Sequence, residues 1–316
     1  MAEFYQLIHQ RAGIATALIA LEKASTIDAN EFIAQLEILR SRNPFYLKKL
    51  LKALCDRSAL LDGESDSGLR IVNKSVELNE WVFEQYVELL PVPAPDPAHF
   101  KDIIRYTLGS GVAIEVEEQP LLLSGSGTTG FRTWEAALYL GELLAQNASV
   151  LGDLGLVSKV LELGAGTALV SMAWAKVHGS HTSELYITDG DSQLIEHSAY
   201  HNFKLNGLGG CNNYKFQRLW WGEDAVPDVD MVIAADVTYD KTVVPSLVAT
   251  LACALLNGAR FALIAATVRN ESTLAEFEKQ CTERSLQMEI LSVRETQLAP
   301  IRIYRLSLLG KTSSSG

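Results

Sequence analysis

A glycine-bearing turn follows the apolar run of VLELGAGTA at residues 160–168. Gly164 and Gly166 let the backbone turn tightly and pass close to a ligand where a strand opens into a helix. A dinucleotide fingerprint would need a third glycine where Leu169 stands, and no Gly-Lys-Ser or Gly-Lys-Thr ending of a phosphate loop follows. The pattern therefore predicts a ligand-binding turn in an α/β sheet, with a purely structural tight turn as the alternative.

Three later strand patterns end in side chains that suit an adenosine-type ligand. ELYITD ends at Asp189, whose carboxylate can accept hydrogen bonds from both hydroxyls of a ribose or, alternatively, cap the next helix. LWWG at 219–222 offers an aromatic face for an adenine, or ordinary core packing. A fourth strand ends with the small Ala235 and the acidic Asp236. Because open α/β sheets bind ligands at the carboxyl ends of their strands, we expect these positions to surround one site.

The elements that must position these residues alternate between strand and helix patterns from VAIEVE at 112–117 onward. Such alternation with short connections predicts a parallel sheet covered by helices on both faces. The last two strand patterns, MEILSV at 288–293 and IRIYRLSLL at 301–309, have no helix pattern between them and are expected to form an antiparallel hairpin at the sheet edge. The predicted fold class is α/β.

The N-terminal part differs, because apolar residues recur every three or four positions up to about Leu90, which predicts an N-terminal α-helical region at 1–90. Prolines alternate in PVPAPDPAHF, which predicts a semi-rigid linker at 91–100. A domain at 101–310 and a flexible tail at 311–316 complete the predicted organisation. The helices at 1–90 are expected to dock a substrate or, alternatively, to cover a face of the sheet.

Composition excludes several classes of function. The chain has 316 residues, with Lys+Arg 27 and Asp+Glu 38, so its formal charge is −11. That charge repels phosphate backbones, and we expect no direct nucleic-acid binding. The start of the chain does not resemble a signal peptide, and the longest apolar stretch is interrupted by polar residues at 257–260, so we expect no membrane span.

Metal and disulfide chemistry are not expected either. The 4 cysteines have no short paired spacing, which argues against a zinc cluster, a redox pair or a disulfide framework and indicates a reducing, cytoplasmic environment. His197 and His201 have the i, i+4 spacing of metal ligands on a helix, but no third ligand is evident. Glu162, inside the first core strand, is expected to organise the glycine turn.

Taken in order, VLELGAG, ITD, LWWG and AADVTY resemble the seven-β-strand (class I) S-adenosylmethionine-dependent methyltransferases. Within that class, GTTGFRTWEAALYL, IAADVTYD and the later TVRN are most similar to the eukaryotic elongation factor 2 lysine methyltransferase family. The resemblance spans about residues 124–270. It implies a Rossmann-like, doubly wound seven-stranded sheet, S-adenosyl-L-methionine as cofactor and a lysine of translation elongation factor 2 as methyl acceptor.

The resemblance also implies a set of cofactor-binding residues in and around the glycine turn and the strand ends: Trp134, Gly164, Ala165, Gly166, Asp189, Trp221 and Ala235. Asp189 would hold the ribose, Trp221 would flank the adenine, and Trp134 would contact the methionine end or, alternatively, anchor its own helix. One departure is Ala168, which stands where many relatives have a third glycine.

On the acceptor side, Asp236 and Tyr239 begin and end the Asp-x-x-Tyr signature implied by the resemblance and are the candidate catalytic residues. Methyl transfer from a sulfonium requires alignment rather than a metal, but the acceptor lysine must lose its proton, and a carboxylate can orient it. Asp236 is the candidate for that role, with helix capping as the alternative. Tyr239 can line a lysine channel through a cation–π contact or simply pack.

The motifs describe the cofactor better than the acceptor. A methyltransferase acting on another protein or a small amine therefore remains an alternative, as does a cofactor-binding interaction module without catalysis. We expect a monomer whose partner is a protein substrate.

Overall fold

The computed structural model describes residues 1–62, 70–73, 76–122, 129–152 and 154–310. These fall into two units, Met1–Thr107 and Leu108–Gly316. The domain limits predicted from the sequence, with a linker at 91–100, remain a prediction. The tail expected to be flexible, 311–316, lies outside the described residues, as does the first part of GTTGFRTWEAALYL.

The first unit is mainly helical, as predicted. Its regular elements in the described part are α1 (Ala2–His9), α2 (Ile14–Glu22), β1 (Thr26–Asp28), α3 (Ala29–Arg42), α4 (Pro44–Cys55), β2 (Arg70–Val72), α5 (Leu78–Leu89) and β3 (Asp102–Thr107). Local sequence explains two of the helix starts. At the start of α3, the Asp28 side chain accepts hydrogen bonds from the backbone N–H groups of Asn30 and Glu31. At the start of α4, the Asn43 side chain accepts one from the backbone N–H of Tyr46, and Pro44 occupies the first turn.

These helices bury a hydrophobic core of their own, which includes Phe4, Phe32, Leu36, Leu50 and Val82. The two short strands β1 and β2 were not expected from the helical periodicity. Three-residue strands such as β1 and β2, which pair in parallel, are too short to show a period of two.

The second unit contains the predicted α/β sheet. Its regular elements in the described part are β4 (Ala113–Glu118), α6 (Glu135–Ala145), β5 (Lys159–Leu163), α7 (Leu169–His178), β6 (Glu184–Asp189), α8 (Tyr200–Leu205), β7 (Tyr214–Arg218), β8 (Met231–Ala235), α9 (Val244–Leu256), β9 (Phe261–Thr267), α10 (Glu271–Glu283), β10 (Leu286–Arg294) and β11 (Ile301–Leu308). A π-helical turn, Leu194–Ala199, leads into α8. Both faces of such a sheet are covered, so its central strands are continuously apolar, as in the MVIAA run of β8.

The seven strands of the main sheet follow the order β10-β11-β9-β8-β5-β6-β7. Strands β5 to β9 run parallel, and β5 pairs with both β6 and β8. Parallel strands share one direction, so the residues that follow Leu163, Asp189 and Ala235 meet along one edge of the sheet.

The C-terminal hairpin is antiparallel, as predicted. Its second strand, β11, pairs with β9, and β10 therefore becomes the edge strand. The Rossmann-like doubly wound fold inferred from the sequence is confirmed by this topology.

Candidate active site

An open cavity of about 870 Å³ lies at the carboxyl edge of the parallel strands. It brings together every residue that the sequence nominated for the site: Trp134, Gly164, Ala165, Gly166, Asp189, Trp221, Ala235, Asp236 and Tyr239. The structure adds lining residues that the sequence did not nominate, among them Arg132, Trp220 and Gln193. The roles of the individual side chains follow from their local geometry.

The glycine turn between β5 and α7 requires residues without a Cβ atom. Gly164 and Gly166 adopt φ angles of +64° and +52°. A Cβ built on Gly164 would lie 2.8 Å from Cγ1 of Val237, and one on Gly166 would lie 3.3 Å from the backbone of Gly130. A side chain at either position would therefore be strained and would press on its neighbours.

Ala168, the departure from the glycine pattern, also has a left-handed backbone, with φ of +63°. It immediately precedes α7 and is fully buried. An alanine in this conformation costs roughly 1–2 kcal/mol, and the surrounding packing compensates for it.

Asp189 ends β6 with its carboxylate held by backbone N–H groups. Its Oδ2 accepts a hydrogen bond from Gly166 N at 3.0 Å and its Oδ1 accepts one from Asp191 N at 3.1 Å. Burial raises the pKa of Asp189, whereas these backbone hydrogen bonds act in the opposite direction. Each oxygen retains a lone pair for a hydroxyl donor, and this is the arrangement that recognition of a ribose requires.

The two neighbouring tryptophans of LWWG have different environments. Trp221 lies close to Gly164, and its buried indole N–H has no hydrogen-bond partner in the structure. Trp220 is 49% exposed and lies over Gly190, where an added Cβ would come within 3.2 Å of its ring. Trp221 therefore offers the cavity a partly buried apolar ring, whereas Trp220 is largely exposed.

Glu162 is buried within β5 and lines the same cavity. Its Oε2 accepts a hydrogen bond from the backbone N of Ser171, in the first turn of α7, at 3.1 Å. Desolvation raises the pKa of Glu162 to about 8. The residue therefore joins β5 to α7 around the glycine turn, consistent with the organising role expected from the sequence.

Asp236 follows β8 in a left-handed conformation, with φ of +53°. Thr267 holds its carboxylate through two hydrogen bonds, from the backbone N to Oδ1 at 2.9 Å and from Oγ1 to Oδ2 at 3.0 Å. Arg269 Nη2 is 3.3 Å from Oδ2. The carboxylate does not cap the following helix α9, whose N-cap is Val243. Strain of this kind at a strand end is typical of a functional site.

Tyr239, at the other end of the Asp-x-x-Tyr signature, is 56% exposed and lines the cavity. Its ring is accessible to a side chain that enters from outside. The exposed aromatic ring and the fixed carboxylate of Asp236 thus belong to the same opening.

Trp134 immediately precedes α6 and serves as its N-cap. Its indole N–H donates to the carbonyl oxygen of Thr129 at 3.0 Å. The guanidinium carbons of Arg132 and Arg269 lie 4.6 and 4.8 Å from its ring centroid. The sequence analysis nominated neither arginine, although Arg132 stands in GTTGFRTWEAALYL and Arg269 in TVRN, two segments that contributed to the family resemblance.

The histidine pair considered from the sequence lies outside this cavity. His201 Nε2 is 3.6 Å from Glu117 Oε2. Within the part of the chain that the structure describes, no three His, Cys, Asp or Glu residues cluster as metal ligands. In the same described ranges, no helix combines the length and apolar character that crossing a membrane would require.

The cavity fits S-adenosylmethionine on its own chemistry. A Cβ on Gly164 would clash with Val237, Asp189 presents an oriented carboxylate, and Trp221 lines the cavity with an aromatic ring. A parallel sheet with these groups at adjacent strand ends defines the class of α/β methyltransferases that use S-adenosylmethionine.

Comparisons with known proteins agree with that class. The family model described as "Lysine methyltransferase" matches residues 117–283. Protein-lysine N-methyltransferase EFM3 of Saccharomyces cerevisiae is 37% identical over 337 residues, covering 96% of this chain and 98% of that protein. The protein of the same name from Chaetomium thermophilum is 32% identical, and the alignment covers 76% of this chain and 73% of that protein. Protein-lysine N-methyltransferase EEF2KMT of Homo sapiens is 31% identical, with 62% of each chain covered.

The chain belongs to the lysine methyltransferase family. It is a protein-lysine N-methyltransferase, its cofactor is S-adenosylmethionine, and its substrate is a protein.

Proposed function

We propose that this enzyme methylates a lysine of translation elongation factor 2 and that it does so in the cytoplasm as a monomer. The observation that carries the proposal is that the acceptor signature, Asp236 and Tyr239, opens onto the same cavity as the cofactor-binding pattern. The choice of elongation factor 2 is supported by the three segments GTTGFRTWEAALYL, IAADVTYD and TVRN, whose combination resembles the methyltransferases of that factor.

For the cofactor we propose one role for each part of the cavity. Gly164, Ala165 and Gly166 let the backbone approach it closely, and Asp189 accepts hydrogen bonds from its ribose hydroxyls. The ring of Trp221 flanks the adenine. Ala235 leaves room beside the cofactor, and Trp134 contacts its methionine end.

For the acceptor we propose that the lysine enters along Tyr239 and is oriented by Asp236. When bound, the cofactor supplies a methyl group already activated on a sulfonium. The chain's own task is to align the amine with that methyl group, exclude water and favour the uncharged amine, because an ammonium has no lone pair. The ring of Tyr239 suits both the incoming cation and the methylated amine.

We also propose that the first unit docks the protein substrate. On α5, Phe83 and Val87 are exposed one turn apart, so they form an apolar ridge. Glu80 and Glu84 are exposed beside it, and residues 75–100 contain no Lys or Arg. An acidic, apolar face of this kind suits a basic surface on the protein that presents the lysine.

Label transfer tests the choice of substrate. The purified enzyme is incubated with labelled S-adenosylmethionine and with elongation factor 2 from cells that lack the enzyme. We expect the label on one lysine of that factor. An enzyme that leaves elongation factor 2 unlabelled but labels another protein or a small amine in the same cell extract would contradict the substrate proposal. Cofactor binding without transfer to any acceptor would instead favour an interaction module.

A further inference from the structure

Arg269 connects three parts of the second unit at the rim of the candidate site. Its Nη2 lies 2.8 Å from Oε2 of Glu135, the first residue of α6, and 3.3 Å from Oδ2 of Asp236, which follows β8. Its guanidinium carbon is 4.8 Å from the ring centroid of Trp134. Arg269 itself lies two positions beyond Thr267, the last residue of β9. Arg269 thus contacts both Trp134, which is proposed to contact the cofactor, and Asp236, which is proposed to orient the acceptor lysine.

These contacts limit what Asp236 can do. Its carboxylate already accepts hydrogen bonds from the backbone and hydroxyl of Thr267 and from Arg269. Three donors, one of them cationic, therefore fix the orientation of this carboxylate. It remains an oriented negative charge, which suits positioning of an amine better than removal of its proton.

A carboxylate beside the acceptor also has a cost. An unbalanced negative charge within a few ångströms of a lysine favours the ammonium form, which cannot accept a methyl group. A guanidinium beside the same carboxylate offsets this effect, because guanidinium keeps its charge throughout the accessible pH range.

We propose that Arg269 is a positioning residue for methyl transfer, which fixes the Asp236 carboxylate at the rim and offsets its charge so that the acceptor lysine is held as the neutral amine. This inference rests on the acceptor role proposed for Asp236. Glu135 serves to keep the guanidinium in place, and the guanidinium carbon lies 4.8 Å from the Trp134 ring centroid.

Charged and titratable groups lie beside this pair at the start of α6 and after β8. Arg132 and Glu135 face it from the start of α6, with Arg132 Nη2 at 3.7 Å from Glu135 Oε1. Asp236 and Tyr239 face it from the segment after β8. Glu135, Asp236, Arg132 and Arg269 together are neutral, so the loss of Arg269 leaves one uncompensated negative charge.

The test is the pH dependence of methyl transfer by Arg269→Gln. We expect the alkaline rise of kcat to move by roughly one pH unit towards higher pH. At neutral pH this lowers kcat about tenfold, whereas the rate recovers in alkaline buffer. Arg269→Lys keeps the charge but loses the planar contact, so its pH profile should fall between those of the wild type and Arg269→Gln. Calorimetry with S-adenosylhomocysteine should show an affinity close to that of the wild type.

Arg302 provides a matched control, because it also lies near two carboxylates, Glu271 and Glu278, but on β11 and outside the cavity lining. Arg302→Gln should keep the wild-type pH profile. A wild-type profile for Arg269→Gln, or an equal loss of rate at every pH, would overturn the proposal. The acceptor is whichever lysine protein the wild-type enzyme methylates, so failure with elongation factor 2 alone counts against the substrate proposal and not against Arg269.

Discussion

Asp102 in the first unit and two buried carboxyl groups of the second unit, Asp189 and Glu162, have opposite surroundings. In the first unit, the side chain of Asp102 is fully buried and forms a bidentate pair with Arg11, at 2.7 and 2.9 Å, and also accepts a hydrogen bond from Asn43. In the second unit, burial raises the pKa values of Asp189 and Glu162, and no cation lies among the causes of either shift. Both of those carboxyl groups line the cavity.

The difference distinguishes buried carboxylates whose hydrogen bonds are satisfied within the protein from those that can still accept hydrogen bonds from a ligand. A buried carboxylate needs partners, and Asp102 obtains a full set from its own unit. Asp189 obtains backbone N–H groups that orient it but leave acceptor capacity towards the cavity. Substitution of Asp102 should therefore affect stability, and substitution of Asp189 should affect cofactor binding.

The largest effect is expected from Asp102→Ala. This change leaves Arg11, whose side chain is 9% exposed, without its carboxylate partner and should lower the free energy of unfolding by about 3 kcal/mol. Urea unfolding measures this loss. The affinity for S-adenosylhomocysteine should stay unchanged. Asp96→Ala removes a carboxylate of the same unit whose pair with His99 is exposed, and it should leave stability nearly unaltered.

The reciprocal change is Asp189→Ala in the cavity. Loss of two charge-assisted hydrogen bonds to the ribose should weaken cofactor binding roughly a hundredfold, which is about 3 kcal/mol. Stability should change less than in Asp102→Ala, because removal of a desolvated carboxylate compensates for the lost backbone hydrogen bonds. Calorimetry with S-adenosylhomocysteine provides the measurement. Unchanged affinity would show that Asp189 only shapes the loop.

The raised pKa of Glu162 predicts how stability depends on pH. Glu162 takes up a proton on folding between its usual pKa and about 8, so its contribution is greatest at acidic pH and is lost as the pH rises towards 8. Relative to Glu162→Gln, the wild type should lose about 1.4 kcal/mol for each pH unit within that range. Unfolding curves of both proteins at several pH values provide the test. Parallel pH dependences would mean that Glu162 is ionised in the folded protein.

The smallest effect is expected on the exposed face of α5. Phe83→Ala combined with Val87→Ala should raise KM for the protein substrate about threefold, because rim-type apolar contacts each contribute little. Stability and cofactor affinity should remain those of the wild type, since both side chains are exposed. An unaltered KM would place substrate docking elsewhere on the molecule.

The sequence predicted those parts of the fold that depend on local pattern. Strand β6 has the limits predicted from ELYITD, because a clear strand pattern and the residues that follow it bound the strand. The short strands of the first unit and the π-helical turn before α8 were not predicted. Pairing partners that are distant in the chain stabilise such elements, and their own sequence shows too few residues for a period to appear.

The site shows the same division. Residues at strand ends, such as Asp189 and Asp236, could be nominated because a parallel sheet gathers its carboxyl ends. Arg269 could not be, since its contacts with Glu135 and Asp236 depend on the adjacency of α6, β8 and β9 in space. Arginine is common on protein surfaces, and position alone does not distinguish one that bridges two carboxylates.

Peptide mass spectrometry of elongation factor 2 tests the central claim most directly. The factor is treated with S-adenosylmethionine and either the wild type or Asp236→Asn, at matched cofactor occupancy. We predict methylation of a single lysine by the wild type and roughly a hundredfold less by the variant. An elongation factor 2 that stays unmethylated by an enzyme active on another protein, or that is methylated equally by both proteins, would contradict the account.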